Sequence, residues 1–334
     1  MKGLEAAKRK RNSVAFPAAG FCKGEAADMI VKKYKESFMK RYDMDEGIPF
    51  PGYADYPGLV CEPGSFQNSG GLMIRYCIYY YADYRKDTLI LFCHGLGPGH
   101  TPYTVDIEQL CRAGFRVAAF DYAGCGTSGG ERLTSVNAPT QDALELLELL
   151  DPKEEIIPVG HSLGGYTALN LANYLPDMRR AVIISGFMNI ADEMMDFVKL
   201  RILANCVKRY EKRLVPRFGA LDNRAYLAST HDNILWIHST DDPVVSYKYN
   251  AAQAMKLGNP NVRVITVENK KHMPQYTYEA LDTMNAWIGE YYRAVNEKKL
   301  NTASEKRAFF KDKPAKRMME PDPAVFGEIL RFID

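Results

Sequence analysis

Ser162 lies at the centre of Gly160-His161-Ser162-Leu163-Gly164, where a short apolar run, residues 156–159, gives way to a helical pattern over 163–175. On a sharp strand-to-helix turn, glycines two residues either side of the serine admit a backbone that a Cβ would obstruct. The hydroxyl is then held out toward a ligand as a nucleophile. The bland alternative is a glycine-flanked serine capping a helix. Partners elsewhere in the chain separate the two. A serine hydroxyl is weak at neutral pH and needs a base to take its proton, and the base needs a third group to fix its tautomer. Apolar run 234–238 is followed by Asp241-Asp242-Pro243-Val244-Val245, and run 262–267 by Asn269-Lys270-Lys271-His272. An acid, Asp241 or Asp242, and a base, His272, thus follow Ser162 at the ends of consecutive strand-like runs.

An oxyanion formed at such a serine needs two backbone N–H donors. One is the amide of Leu163, next after the serine. The other is expected from His94-Gly95-Leu96-Gly97-Pro98-Gly99-His100, a glycine-rich loop after apolar run 89–93, with the amide of Leu96 as donor. His161 is expected in a packing or hydrogen-bonding role, because a residue beside the serine points elsewhere on a sharp turn, and His94 and His100 are expected to be structural or pocket-lining.

These residues require elements that hold them at one edge. Continuous apolar runs at 89–93, 116–120, 156–159, 181–185, 234–238 and 262–267 read as strands buried on both faces, and helical patterns at 104–113, 138–150, 163–175, 246–257 and 276–296 lie between them. Such alternation predicts an α/β fold: a mostly parallel central sheet flanked by helices, with ligands at the carboxyl ends of the strands. Residues 72–81, after the turn signal Gly70-Gly71, read as part of an antiparallel edge hairpin. Residues 188–230 carry helical character without a strand signal, too long for a plain crossover. They are expected to form a helical cap over the ligand edge. The predicted organisation is an N-terminal arm, 1–58, a catalytic domain, 59–299, and a C-terminal extension, 300–334, read as a solvated basic linker before a docking helix at 324–333.

Composition narrows the function classes. The 334 residues are 46% hydrophobic with a formal charge of +2, so no overall field argues for nucleic acid or an anionic membrane as partner. No run of about 18 apolar residues exists, which argues against stable membrane insertion. The charged residues 1–11, followed by a short apolar stretch broken by Pro17 and Gly20, make a poor signal peptide. Seven cysteines, with no C-x-x-C pair, predict neither a disulfide framework nor a structural zinc site, and Cys77 and Cys93 read as small buried hydrophobes. A cytoplasmic location follows as an expectation. The Gly124-x-Gly126 pair lacks the spacing of a dinucleotide site.

The ensemble resembles the α/β-hydrolase superfamily, and within it the capped group of monoacylglycerol lipases, small carboxylesterases and serine aminopeptidase-like hydrolases. The resemblance covers residues 72–296. It rests on the His-Gly loop at His94, the turn Asp121-Tyr122-Ala123-Gly124-Cys125-Gly126-Thr127-Ser128, the Ser162 elbow, the Asp242 turn and His272, in the order serine, aspartate, histidine. Asp242 matches the group's D-P-hydrophobic turn and is the expected acid, with Asp241 the fallback. Ala123 stands where the group commonly has arginine. The resemblance implies a catalytic Ser162–His272–Asp242 triad with Leu96 and Leu163 as oxyanion donors, no cofactor, no metal and a small-molecule ester substrate. Peptidase or amidase action, acyl transfer and a non-catalytic binding role are the alternatives, and either terminal extension leaves room for a homo-oligomer.

Overall fold

The apolar runs assemble into one eight-stranded sheet in a computed structural model, which describes residues 24–45, 47–85 and 87–334. The strands are β1 (Val60–Gln67), β2 (Met73–Tyr80), β3 (Thr88–Cys93), β4 (Arg116–Phe120), β5 (Glu155–His161), β6 (Arg180–Ile184), β7 (Asn233–Ser239) and β8 (Val262–Val267). They lie in the order β1-β2-β4-β3-β5-β6-β7-β8. Pairs β1–β2 and β2–β4 are antiparallel, and the rest are parallel. The chain reverses its direction of travel across the sheet at β3, so the carboxyl ends of β3 and β5 lie side by side.

Alternation within the strands sorts the core into two layers. Leu89, Leu91 and Cys93 face one cluster, while Ile90 and Phe92 face the other. Both layers are covered by helices: α1 (Glu25–Phe38), α2 (Thr104–Arg112), α3 (Ala138–Leu150) and α4 (Leu163–Tyr174) precede the cap. The cap between β6 and β7 holds α5 (Ile190–Glu193), α6 (Met195–Val198), α7 (Arg201–Leu214), α8 (Pro216–Gly219) and α9 (Asn223–Ser229). Then follow α10 (Ala251–Lys256), α11 (Tyr278–Asn296), α12 (Ala303–Phe309) and α13 (Pro323–Ile333). Helix α1 belongs to the cap assembly, since Tyr34 Oη donates to Glu211 Oε1 of α7 at 2.7 Å. Asn137 Nδ2, just ahead of α3, donates to the same carboxylate at 3.0 Å, and Ser135 donates to it as well.

Four expectations are corrected. Strand β8 is not buried on both faces: at the sheet edge it has one neighbour, and only Val262 is fully buried. The helix expected over 246–257 breaks at Asn250 into a 3-10 turn, Tyr247–Tyr249, and α10. The region after residue 300 is not a solvated linker. Phe310, Met318 and Met319 pack with Leu281 and Tyr291 of α11, so apolar pairs set among basic residues supply a core of their own. Finally, Cys61 and Cys77 are joined as a disulfide, with Cα atoms 5.9 Å apart. The β1–β2 register sets Cys61 opposite Tyr79, which makes Cys77 its diagonal neighbour on the same face. A spacing of 16 residues did not reveal that register. Cys93, Cys111 and Cys125 are buried free thiols; Cys22 and the stretch 1–21, read as a poor signal peptide, lie outside the described residues. No helix of the described residues is long and apolar enough to cross a membrane.

Candidate active site

Strand β5 runs directly into α4 through Ser162, which sits at φ 57° and ψ −118°. That left-handed conformation is costly for a residue with a Cβ, and the surroundings impose it. Ser162 N–H donates to the Ile184 carbonyl at 2.8 Å, tying the turn to β6. A Cβ on Gly160 would strike the Gly164 carbonyl, and one on Gly164 would strike the carbonyls of Cys93 and His94. The two glycines therefore allow strand, turn and helix to overlap closely, and Ser162 is left only 8% exposed.

The loops after β7 and β8 meet at this turn. His272 Nδ1 lies 2.8 Å from Asp242 Oδ2, while Asp242 Oδ1 accepts from the Val244 and Val245 amides at 2.8 and 3.0 Å. Asp241 is turned away: its Oδ1 accepts from Ser239 Oγ at 2.6 Å, and its Oδ2 pairs with Lys271 Nζ at 2.7 Å. Burial pushes the Asp242 carboxyl up, but contacts from His238 and His272 overcome that cost and hold it well below the usual carboxylate range. An ionised carboxylate only accepts, so His272 carries its proton on Nδ1 and presents the Nε2 lone pair, the form a general base requires.

The glycine-rich loop after β3 approaches from the other side. A Cβ on Gly95 would stand 3.3 Å from Ser162 Cβ, so Leu96 follows at the Ser162 turn. Gly95 N–H is engaged by Tyr103 Oη at 3.1 Å. The amides of Leu96 and Leu163 make no hydrogen bond among the described residues. Leu163 is the first residue of α4, so its N–H is one of the groups a helix leaves unsatisfied. Both amides are available to a developing oxyanion.

The remaining histidines are fixed elsewhere. His94 is fully buried, stacks on Tyr122 at 3.7 Å and lies 2.6 Å from the Gly95 carbonyl; burial lowers its pKa to about 4. His100 spans Asp121 Oδ1 at 2.6 Å and Tyr79 Oη at 2.9 Å. His161 reaches the His272 carbonyl through Nε2 at 2.7 Å. The turn at Asp121 has Ala123 in place of an arginine, and a guanidinium arrives from outside: Arg41 donates to the carbonyls of Ser128, Gly130 and Gly126. Among the described residues no group of three or more His, Cys, Asp or Glu is arranged to hold a metal ion.

Sequence reading missed three supports. Tyr103 joins the Gly95 loop to His161, and nothing in its local pattern marks it. His238, the end of an apolar run, approaches Asp242 Oδ2 at 3.2 Å while accepting from Trp236 Nε1 at 3.3 Å. Lys270 is buried, paired with Asp322 of the C-terminal extension, and stacked over Tyr278 at 4.9 Å. A lysine inside a loop that must be buried was the available signal for the last.

Comparison with known proteins places the fold. Bifunctional epoxide hydrolase 2 of Sus scrofa is 26% identical over 46% of this chain and 28% of its own length. Probable esterase PIR7A of Oryza sativa subsp. indica is 26% identical over 42% of this chain and 51% of its own. The chain therefore spans about half or less of these curated relatives. The solved structure of the Pyrococcus furiosus esterase Pf2001 aligns with a TM-score of 0.52 at 19% identity, covering 82% of this chain and 98% of that one, a likeness of fold. A family model described as serine aminopeptidase, S33, matches residues 84–266, which include Ser162 and Asp242, though not His272. The chain belongs to this serine aminopeptidase S33 family of α/β-hydrolases.

Proposed function

We propose that the chain is a serine hydrolase that cleaves a carboxylic ester through an acyl-enzyme, without a cofactor. The observation that carries this reading is the convergence of three separate loops at the β5–α4 turn: the Gly95-Leu96 loop lies against Ser162, the His272 loop meets the adjacent His161, and the Asp242 turn holds His272. In the proposed reaction Ser162 Oγ attacks the ester carbonyl as His272 Nε2 takes its proton. The Leu96 and Leu163 amides receive the oxyanion, and Asp242 offsets the charge on the imidazolium. The C–O bond to the alcohol then breaks, and His272 returns the proton to the leaving oxygen. Water, deprotonated by His272, attacks the acyl carbon and frees Ser162.

The cap supports an ester over a peptide with a free amine. Recognition of an ammonium needs an ionised carboxylate facing the site. Asp192 is committed to Arg201 and Arg224. Asp222 caps α9 by accepting from the Ala225 amide. Glu211 is held by Tyr34, Ser135 and Asn137. Asp196 is exposed. Glu193 is buried, and that burial, reinforced by the charges of Asp242 and Asp196, pushes its carboxyl well above the usual range, which favours the neutral form over the ionised one that an ammonium would need. A panel of p-nitrophenyl esters set against aminoacyl p-nitroanilides tests the reading. Ester turnover that exceeds anilide turnover is expected, and the reverse ranking rejects it. Acceptor alcohols or thiols added to the same assay separate hydrolysis from acyl transfer.

A further inference from the structure

The loops that meet at Ser162 are joined by one chain of hydrogen bonds whose direction is fixed by chemistry. Its first link runs from Gly95 N–H to Tyr103 Oη at 3.1 Å, and an amide nitrogen there only donates. The last link joins His161 Nε2 to the His272 carbonyl at 2.7 Å, and a carbonyl only accepts. His161 must therefore carry a proton on Nε2. Burial first, and then the neighbouring His272, lower its pKa to about 3, so the ring is neutral and Nδ1 keeps a lone pair. The middle link, Tyr103 Oη to His161 Nδ1 at 2.9 Å, must then have the tyrosine as donor. Every donor and acceptor in the chain has one assignment.

Both ends of the chain touch the proposed machinery. The Gly95 amide lies in the peptide next to the one whose N–H, that of Leu96, is to meet the oxyanion, so fixing it anchors that loop on the N-terminal side of Leu96. The His272 carbonyl belongs to the base itself, and the His161 ring lies tilted beside the His272 ring with centroids 4.7 Å apart. Only glycine fits at the junction, because a Cβ on Gly95 would stand 2.6 Å from Tyr103 Oη and 3.2 Å from His161 Nδ1. We infer that Tyr103 and His161 are positioning residues that couple the oxyanion loop to the loop of the base. This inference rests on the proposed serine mechanism. A relay of this kind acts on the geometry of the transition state and not on substrate binding, so its loss lowers kcat and leaves KM nearly alone.

Glutamine can present an N–H where His161 has Nε2, whereas leucine cannot. His161→Leu is expected to lower kcat about 100-fold with KM within about threefold, and His161→Gln to recover to within about tenfold of the unaltered chain. Tyr103→Phe, which removes both a donor and an acceptor, is expected to lower kcat about tenfold, again with KM little changed. Nitrogen-15 spectra should show the His161 ring protonated on Nε2 alone throughout the range in which the protein is folded. Thermal melts report whether each variant folds; if His161→Leu does not, Tyr103→Phe and the tautomer decide. Unchanged kcat in Tyr103→Phe, a glutamine variant as impaired as leucine, or a ring protonated on Nδ1 would overturn the inference. Failure of the serine mechanism is distinct: the unaltered chain would then neither hydrolyse esters nor accept a fluorophosphonate at Ser162.

Discussion

Exchange of Asp242 for asparagine alters one atom and reverses the chemistry of the base. In the native turn Oδ1 is committed to two amides, Val244 and Val245, and Oδ2 faces His272 Nδ1. Asparagine has one oxygen, and the two amides hold it at the Oδ1 position because both only donate. Its NH2 group then points at His272 Nδ1, donor against donor. The ring escapes the clash by moving its proton to Nε2, which leaves no lone pair for the Ser162 proton. The opposite amide rotamer would set NH2 against two backbone N–H groups, so it offers no relief. The loss should be about 10⁴-fold in kcat, or ~5.5 kcal/mol of transition-state stabilisation. Steady-state hydrolysis of p-nitrophenyl butyrate, with Asp241→Asn as control, reads the effect. The control should stay within about tenfold, since Asp241 holds the turn through Ser239 and Lys271 and not through His272. An Asp242→Asn variant within tenfold of the unaltered chain, or a control equally damaged, would refute the reasoning.

Three further outcomes follow from buried charges. Asp322→Asn leaves the Lys270 ammonium buried without its partner and should cost about 3 kcal/mol, measured by urea unfolding, with a fall in kcat because Lys270 lies in the His272 loop. Burial pushes the Glu193 carboxyl toward its neutral form, so Glu193→Gln, an isostere of that form, should leave thermal stability and ester turnover nearly unchanged; a large loss of turnover would mean that Glu193 acts ionised. Asp106 is buried beside Tyr276, and burial raises its carboxyl to about 7. A raised carboxyl pKa stabilises the fold fully below the unfolded value, and that stabilisation is lost as pH rises from about 4 through 7. Asp106→Asn should flatten the decline between those limits in chemical-denaturation curves, and an unchanged decline would exclude Asp106 as its source.

How much of this was legible in the sequence differs by kind of interaction. Runs 89–93 and 116–120 coincide with β3 and β4, because strands buried on both faces leave an unbroken apolar record. The Ser162 turn was readable because glycine is required where backbone meets backbone. Interactions that cross from distant segments left little trace. Arg41 fills the turn at Asp121 from 80 or more positions away, and Tyr103 meets His161 at a separation of 58. The Cys61–Cys77 pair depended on hairpin register, which alternation alone does not define. The stretch 306–319 was misread because its six basic residues outnumber Phe310, Met318 and Met319, the apolar ones that bury. The tie of the C-terminal extension to the His272 loop, Lys270 to Asp322, depends on one charge pair that spacing cannot disclose.

The central claim is that Ser162 is the nucleophile of an ester hydrolase. Incubating the purified chain with a fluorophosphonate, then following residual p-nitrophenyl ester hydrolysis and mapping the labelled peptide by mass spectrometry, tests it most directly. The account predicts one phosphonyl group, on Ser162, appearing in step with the loss of hydrolysis, and a Ser162→Ala variant that neither labels nor turns over ester. Hydrolysis that persists in Ser162→Ala, or a label carried by another residue while activity falls, would contradict it.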